Sequence, residues 1–256
     1  MPINFHDRAN RFTYANRNID PAWIRFMEQE ISWHGKRVVD IGCGGGIYTS
    51  ELLNLGAKSV VGIDFSEAML SVAKSEHKEI EFCKGDAYAT GLQDCSFDLV
   101  FSRALIHHLR DLPAYFREVY RILKPGGIII TQNRTVADCH LPGSPDHLRG
   151  YFFEKFPRLQ QIEKDRRHNH DKVVQALLQT GFTGIVSKSL WETRKTYATF
   201  EQFADEMRNR SGRSILHELT DGEIEELIRY IAAKVGTETP VTDRDRWSVW
   251  IAARPE

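Results

Sequence analysis

Val38-Val-Asp-Ile-Gly-Cys-Gly-Gly-Gly-Ile47 carries the reading of the fold. With Arg37 ahead of it, the first half is a short apolar run of the kind that becomes a strand buried on both faces. The second half gathers Gly42, Gly44, Gly45 and Gly46 ahead of a helix signal over 47–55, which stops at Gly56. Glycine lets a backbone turn sharply and approach a ligand closely. A strand, a glycine turn and a helix in that order also occur in dinucleotide-binding folds, so the loop alone does not name its ligand.

Working outward, the alternation repeats. Strands are predicted at 59–63, 80–84, 97–102 and 128–131, and helices at 66–78 and 112–123, with Ser66 as an N-cap and Glu67 in the first turn. The second of these helices is closed by Lys124-Pro-Gly-Gly127. Upstream, residues 5–34 read as a broken amphipathic helix through Phe12, Ile19, Trp23, Phe26, Met27 and Ile31. Downstream, 170–180, 199–209 and 221–235 read as helices, and 183–190 and 247–253 as strands. Strand and helix in alternation predict an α/β fold, a doubly wound, mostly parallel sheet with helices on both faces and ligands at the carboxyl ends of the strands. The expected organisation is one domain over 1–256: a helical lid at 1–34, a cofactor-binding core at 35–135, and segments 134–168 and 196–240 as a helical cap over the sheet edge or as packing elaborations.

The composition sets bounds. Hydrophobic residues make up 41 %, enough for a sizeable core. With 34 basic and 35 acidic residues, no global field draws the chain to nucleic acid. Cys43, Cys83, Cys95 and Cys139 form no C-x-x-C pair, so neither a zinc site nor a disulfide framework is expected. Cys43, Cys83 and Cys95 sit in or beside apolar segments and read as buried free thiols. The first residues lack an apolar signal region, and no stretch reaches the ~20 apolar residues of a membrane span. A soluble cytoplasmic protein is the expectation; the oligomeric state is not legible.

The residues around the loop narrow the ligand. A dinucleotide fingerprint begun at Gly42 would need its third glycine where Ile47 stands, and Asp40 would repel a pyrophosphate. An amino-acid ligand carrying a cationic ammonium and sulfonium tolerates that acid. Asp64, at the end of the second strand, is placed to accept from both hydroxyls of a ribose. Asp86, after the third, is placed to accept from an adenine amine. Phe65 and Met69 offer apolar walls, Ala87 lies near the same edge, and Ser102 closes the fourth strand beside the ligand.

These segments, together with Gly85-Asp-Ala87, Phe97-Asp-Leu-Val-Phe-Ser102 and Leu123-Lys-Pro-Gly-Gly127, resemble the class I S-adenosylmethionine-dependent methyltransferases over about 35–135. They look most like the small-molecule branch that includes the ubiquinone and menaquinone biosynthesis enzymes. The resemblance implies a seven-stranded sheet with an antiparallel final hairpin, S-adenosylmethionine as cofactor, and a small-molecule acceptor. It implies that Asp64 holds the ribose, Asp86 the adenine amine, and Gly42, Gly44 and Gly46 the methionine portion. It also implies an N-terminal helix closing on the cofactor, where Tyr14 and Arg17 are candidates, Arg17 for the methionine carboxylate.

Methyl transfer from a sulfonium needs alignment, and a base only where the acceptor must lose a proton. In Ser102-Arg-Ala-Leu-Ile-His-His-Leu-Arg-Asp111, His107 is the candidate base and His108 the alternative. Neither the Asn/Asp-Pro-Pro-Tyr/Phe motif of amine-directed DNA methylation nor a Pro-Cys for cytosine carbon occurs, so DNA is not the expected partner. Arg166-Arg167-His168-Asn-His170 reads as a solvated helix start rather than a metal site. Arg208, Arg210 and Arg213 read as an anion-binding patch or as solvated loop residues. The aromatics Tyr151, Phe152, Phe153, Phe156, Trp191, Tyr197, Phe200 and Phe203 read as an acceptor pocket or as the cap's own core. An RNA or protein methyltransferase and a non-catalytic cofactor-binding module are the competing functions.

Overall fold

A computed structural model describes residues 19–238 and 240–256. Within them the N-terminal helix is α1 (Pro21–Glu30), which ends before the predicted 34; residues 5–18 of the predicted span, and of the expected lid, lie outside the described residues. Asp20 caps it by accepting from the Ala22 N–H at 2.7 Å, Pro21 opens it, and Ile31 leaves it in extended backbone.

The alternation predicted from sequence is present: β1 (Arg37–Ile41), α2 (Ile47–Asn54), β2 (Ser59–Asp64), α3 (Glu67–Glu76), β3 (Glu81–Lys84), β4 (Phe97–Arg103), α4 (Leu112–Ile122) and β5 (Leu123–Asn133). Then follow α5 (Val136–Cys139), α6 (Arg149–Lys155), α7 (Leu159–Arg166), α8 (His170–Gln179), β6 (Thr183–Tyr197), α9 (Phe200–Arg208), α10 (Asp221–Val235) and β7 (Val241–Ala253). The strands form one seven-stranded sheet in the order β3-β2-β1-β4-β5-β7-β6. β1 pairs in parallel with β2 and β4, β2 with β3 and β4 with β5, whereas β7 runs antiparallel to β5. The sheet winds one way from β1 to β3 and the other way from β4 onward. The winding reverses between β1 and β4, and at such a switch point α/β sheets bind ligands beyond the carboxyl ends of the strands.

Three strands exceed their predicted limits. β5 begins at Leu123, which pairs with Phe97 before the ladder shifts and resumes at Leu99 with Ile128. β6 runs on to Tyr197, and β7 begins at Val241. Apolar periodicity could not reveal the start of β7, because its buried positions include the charged Asp243 and Asp245.

The chain forms two compact units. One comprises the described residues through Asn133 with His168–Leu190 and Ser248–Glu256. Successive strand residues there alternate between its cores. Val39, Val100, Ile129 and Trp250 pack with Tyr115, Phe116 and Val119 of α4, whereas Val38, Leu99, Ile130 and Val249 pack with Trp23 and Met27 of α1.

The other unit comprises Arg134–Arg167 and Trp191–Trp247. Tyr151, Phe152, Phe153, Phe156, Tyr197, Phe200 and Phe203 are its own buried core rather than open pocket lining; Trp191 is half-buried. Its arginines are engaged by acids. Glu163, fully buried, meets Arg149 at 2.6 Å as well as Arg166 and Arg167. Arg208 pairs with Glu201, Asp205 and Glu225, Arg210 with Asp221, and Arg213 with Asp243. The expected anion-binding patch is therefore tied up in ion pairs.

The basic histidine run is only in part the solvated helix start expected: Asn169 and His170 are exposed and open α8, but the residues before them are engaged. Arg167 is buried on Glu163, His168 Nε2 lies 2.7 Å from the Leu109 carbonyl, and His170 Nδ1 accepts from the Trp250 indole at 3.2 Å. Cys43 and Cys139 are buried and Cys83 partly so, but Cys95 is exposed, correcting its assignment to the interior. No helix among the described residues is long and apolar enough to cross a membrane.

Candidate functional site

The glycine turn after β1 is pinned to β2. The N–H groups of Gly42 and Cys43 both donate to the Ile63 carbonyl, at 2.7 and 3.1 Å. Gly42, Gly44 and Gly46 have φ of +80°, +55° and +84°, backbone that side-chain-bearing residues adopt only under strain. Gly46 is the N-cap of α2, so the first N–H groups of that helix open onto the same turn. A Cβ at Gly42 would stand 3.0 Å from Leu105 Cδ1, and one at Gly44 only 3.4 Å from Met69 Cε. Ligand-sized approach on this side therefore depends on the missing side chains.

Asp64 ties this turn to the next. Its Oδ2 accepts from the Gly44 N–H and its Oδ1 from the Ser66 N–H, both at 2.9 Å. Each carboxylate oxygen can accept more than one hydrogen bond, so a pair of neighbouring hydroxyls can share the same group. Beside it Phe65 is 49 % exposed, an apolar ring at the strand edge that nothing in the core requires. Met69, in contrast, is buried against the glycine turn, which makes it a floor of the loop rather than an open wall.

Asp40 lies deeper. Its side chain is 2 % exposed, and the Thr49 hydroxyl on α2 donates to its Oδ2 at 2.7 Å. Burial pushes its carboxyl up to about 7; the Thr49 bond works against this, and Asp64 nearby adds to the rise. Arg103, at the end of β4, favours the charged form from a distance and lays its guanidinium 4.2 Å over the Tyr48 ring. Asp40 is thus a buried carboxyl poised to gain or lose a proton, where the sequence suggested a standing charge.

The remaining candidates are spread over the next strand ends. Asp86, after β3, is exposed and its Oδ1 accepts from the Tyr88 N–H at 2.8 Å; Ala87 is half-buried beside it. Ser102 is fully buried, with Oγ 3.2 Å from Thr131 Oγ1 on the neighbouring strand. Ser102 and Thr131 are cross-strand partners, so both side chains project from the same face of the sheet. Beyond β4 the chain turns at Ala104, which adopts φ +54° and donates its N–H to the Gln132 carbonyl at 2.9 Å. Left-handed backbone at a non-glycine residue costs roughly 1 kcal/mol and marks a tightly determined turn. It leads into the short helical turn Ile106–His108. There His107 is half-buried, with Nδ1 2.8 Å from Asn133 Oδ1; His108 is exposed, its ring centroid 4.0 Å from that of His107. Tyr14 and Arg17 lie outside the described residues.

Residues 39–131 match the family of the methyltransferase domain. This stretch of the chain is similar to methyltransferase domains. Ubiquinone biosynthesis O-methyltransferase of Pseudomonas entomophila (strain L48) is 34 % identical over 127 residues, 47 % of this chain and 53 % of that protein. Phosphoethanolamine N-methyltransferase of Triticum aestivum is 28 % identical over 233 residues, 86 % of this chain and 41 % of that protein. The chain thus spans about half the length of the curated relatives it matches. Among solved structures, Haemonchus contortus phosphoethanolamine N-methyltransferase 2, in complex with phosphomonomethylethanolamine and S-adenosylhomocysteine, aligns with TM-score 0.61 at 22 % identity, covering 99 % of this chain and 61 % of that one. A methyltransferase of Bacillus halodurans C-125 aligns with TM-score 0.58 at 20 % identity over 91 % of this chain and 99 % of that one. At these identities the likeness is one of fold.

The structure brings the glycine turn at 42–46 and Asp64 into one hydrogen-bonded edge, with Asp40 buried on Thr49 beside the turn and Phe65 exposed next to Asp64. Sequence reasoning missed Thr49, Arg103 and Asn133. The first two had no motif of their own, but Asn133 could have been found: it is polar and ends a parallel strand, where ligands gather.

Proposed function

We propose that this chain binds S-adenosylmethionine along the carboxyl ends of β1, β2 and β3 and transfers its methyl group to a small-molecule acceptor, with His107 taking the acceptor's proton. The observation that carries this reading is the Asp64 carboxylate joining the Gly44 and Ser66 N–H groups beside the exposed Phe65. It supports a ribose held by Asp64, an adenine against Phe65 near Asp86 and Ala87, and an amino-acid portion over Gly42, Gly44 and Gly46.

When bound, the cofactor supplies a methyl group on a positively charged sulfur, so the reaction is an in-line displacement. The protein's part is alignment, exclusion of water and proton management. Asp40, buried beside the glycine turn, favours a cationic ligand in its ionised form. The relatives that match this core include O- and N-methyltransferases by name. We therefore assign the acceptor to the class of O–H or N–H compounds, whose proton an imidazole accepts near neutral pH.

Titration calorimetry tests the proposal. S-adenosylmethionine and S-adenosylhomocysteine are expected to bind and NAD not to. Asp64→Ala is expected to weaken binding by at least about tenfold, since one charge-assisted hydrogen bond is worth roughly 1.5–3 kcal/mol. Binding of NAD without S-adenosylmethionine would overturn the reading. A salt-dependent shift of RNA by the protein would favour a macromolecular acceptor instead.

A further inference from the structure

We propose that Asn133 is a positioning residue that fixes the tautomer of His107, keeping the proton on Nδ1 and the lone pair on Nε2. The inference rests on reading His107 as the base. Its own evidence is a contact between two elements far apart in sequence. His107 stands on the turn Ile106–His108 after β4, and its Nδ1 lies 2.8 Å from Oδ1 of Asn133, the last residue of β5.

The chemistry follows from what each atom can do. An amide oxygen accepts hydrogen bonds and cannot donate them, so this contact requires a hydrogen on Nδ1. A neutral imidazole carries one N–H, so Nε2 is left with the lone pair. That is the tautomer a base needs if it takes the acceptor's proton at Nε2. After that transfer Nδ1–H still faces Asn133, so the imidazolium keeps its partner and the ring need not turn.

Asn133 is held firmly enough for the task. It is 1 % exposed, and its backbone closes the β5–β7 ladder opposite Ser248, after Gln132 opposite Val249 and Thr131 opposite Trp250. A side chain springing from a fixed ladder position sets the ring orientation as well as the proton. The partner is also neutral. A carboxylate there would fix the same tautomer but draw a second proton onto the ring, whereas an amide fixes it without that pull.

Long-range proton–nitrogen NMR on protein labelled with 15N-histidine reads the tautomer directly, without any acceptor. Wild-type His107 is expected in the neutral Nδ1–H form, Asn133→Asp to retain it, and Asn133→Leu to lose it in favour of Nε2–H. Wild-type His107 in the Nε2–H form, with the Asn133 amide nitrogen as donor, would overturn the proposal. So would an unchanged tautomer in a folded Asn133→Leu. Should that variant not fold, the wild type and Asn133→Asp still decide. Cofactor calorimetry is a separate measurement, so failure of the methyltransferase reading and failure of this one are told apart.

Discussion

The Thr49 hydroxyl holds the buried Asp40 carboxyl at 2.7 Å, joining α2 to β1 directly beneath the glycine turn. Burial outweighs that single hydrogen bond, and Asp40 titrates near neutral pH, at about 7 against an ordinary 3.8.

Asp40 therefore opposes folding at high pH. Between about pH 4 and 7 the native protein binds a proton that the unfolded chain has released, so stability falls as pH rises through this window. A displacement of about three pH units corresponds to about 4 kcal/mol. Asp40→Asn is expected to be more stable than wild type at pH 8 by up to that amount, with the gap closing toward pH 4. Denaturant melts without cofactor at pH 5 and pH 8 check this. An equal difference at both pH values would refute the burial argument.

The same carboxyl couples cofactor affinity to pH. A cationic ligand at the glycine turn favours ionised Asp40, so binding should be full above pH 7 and weaken as pH falls below it, by up to about tenfold per pH unit. Calorimetry at pH 6 and pH 8 reads the slope, and Asp40→Asn should abolish it. A slope that persists in the variant would assign the linkage to another group.

Two glycines of one turn should fail differently. A Cβ at Gly46 would lie 2.8 Å from Phe82 Cζ and 2.9 Å from His77 Cδ2 in backbone of φ +84°. Gly46→Ala is expected to cost about 2–4 kcal/mol of stability. At Gly44 the new methyl would meet only the flexible end of Met69, at 3.4 Å. Gly44→Ala should cost roughly 1 kcal/mol of stability while sharply reducing cofactor affinity. Thermal melts beside calorimetry separate the two, and equal cofactor affinity in Gly44→Ala and wild type would remove that residue from the cradle.

In the second unit, the buried Glu163 pairs with Arg149, Arg166 and Arg167. Burial alone would raise its pKa, but the three guanidinium groups outweigh burial and hold it well below the usual carboxylate range. Its contribution is present above the ordinary Glu value of 4.5 and is lost as pH falls below that. Glu163→Gln leaves those charges without their shared partner and is expected to cost about 3–5 kcal/mol. Denaturant unfolding at pH 7 measures it; a loss under about 1 kcal/mol would mean that solvent screens the cluster.

Much of the first unit was legible because its strands are apolar and its turns are marked by glycine. Val38–Ile41 and Val60–Ile63 read as buried parallel strands and are. Asp64 was legible as well, because its place at a strand end is itself the signal. The burial of Ser102 was not legible: its hydroxyl meets that of Thr131, which the register of β4 with β5 brings alongside it. The early part of β7 was illegible for the opposite reason. Val241-Thr-Asp-Arg-Asp-Arg246 looks like solvated loop, yet Asp243 and Asp245 are buried on arginines supplied by distant segments, Arg213 and Arg134.

The sequence by itself determined the strand–helix alternation, the glycine turn with Ile47 where a dinucleotide fingerprint needs glycine, and the row of acids at successive strand ends. These are local patterns, set by backbone conformation and side-chain period, and they suffice to name the cofactor class. Only the tertiary structure decided the state of those residues. Whether Asp40 carries a charge depends on its burial and on Thr49. The partner that His107 Nδ1 meets is Asn133, brought up from another strand. Protonation and tautomer are set by what surrounds a group in space, and no local pattern in the chain records that.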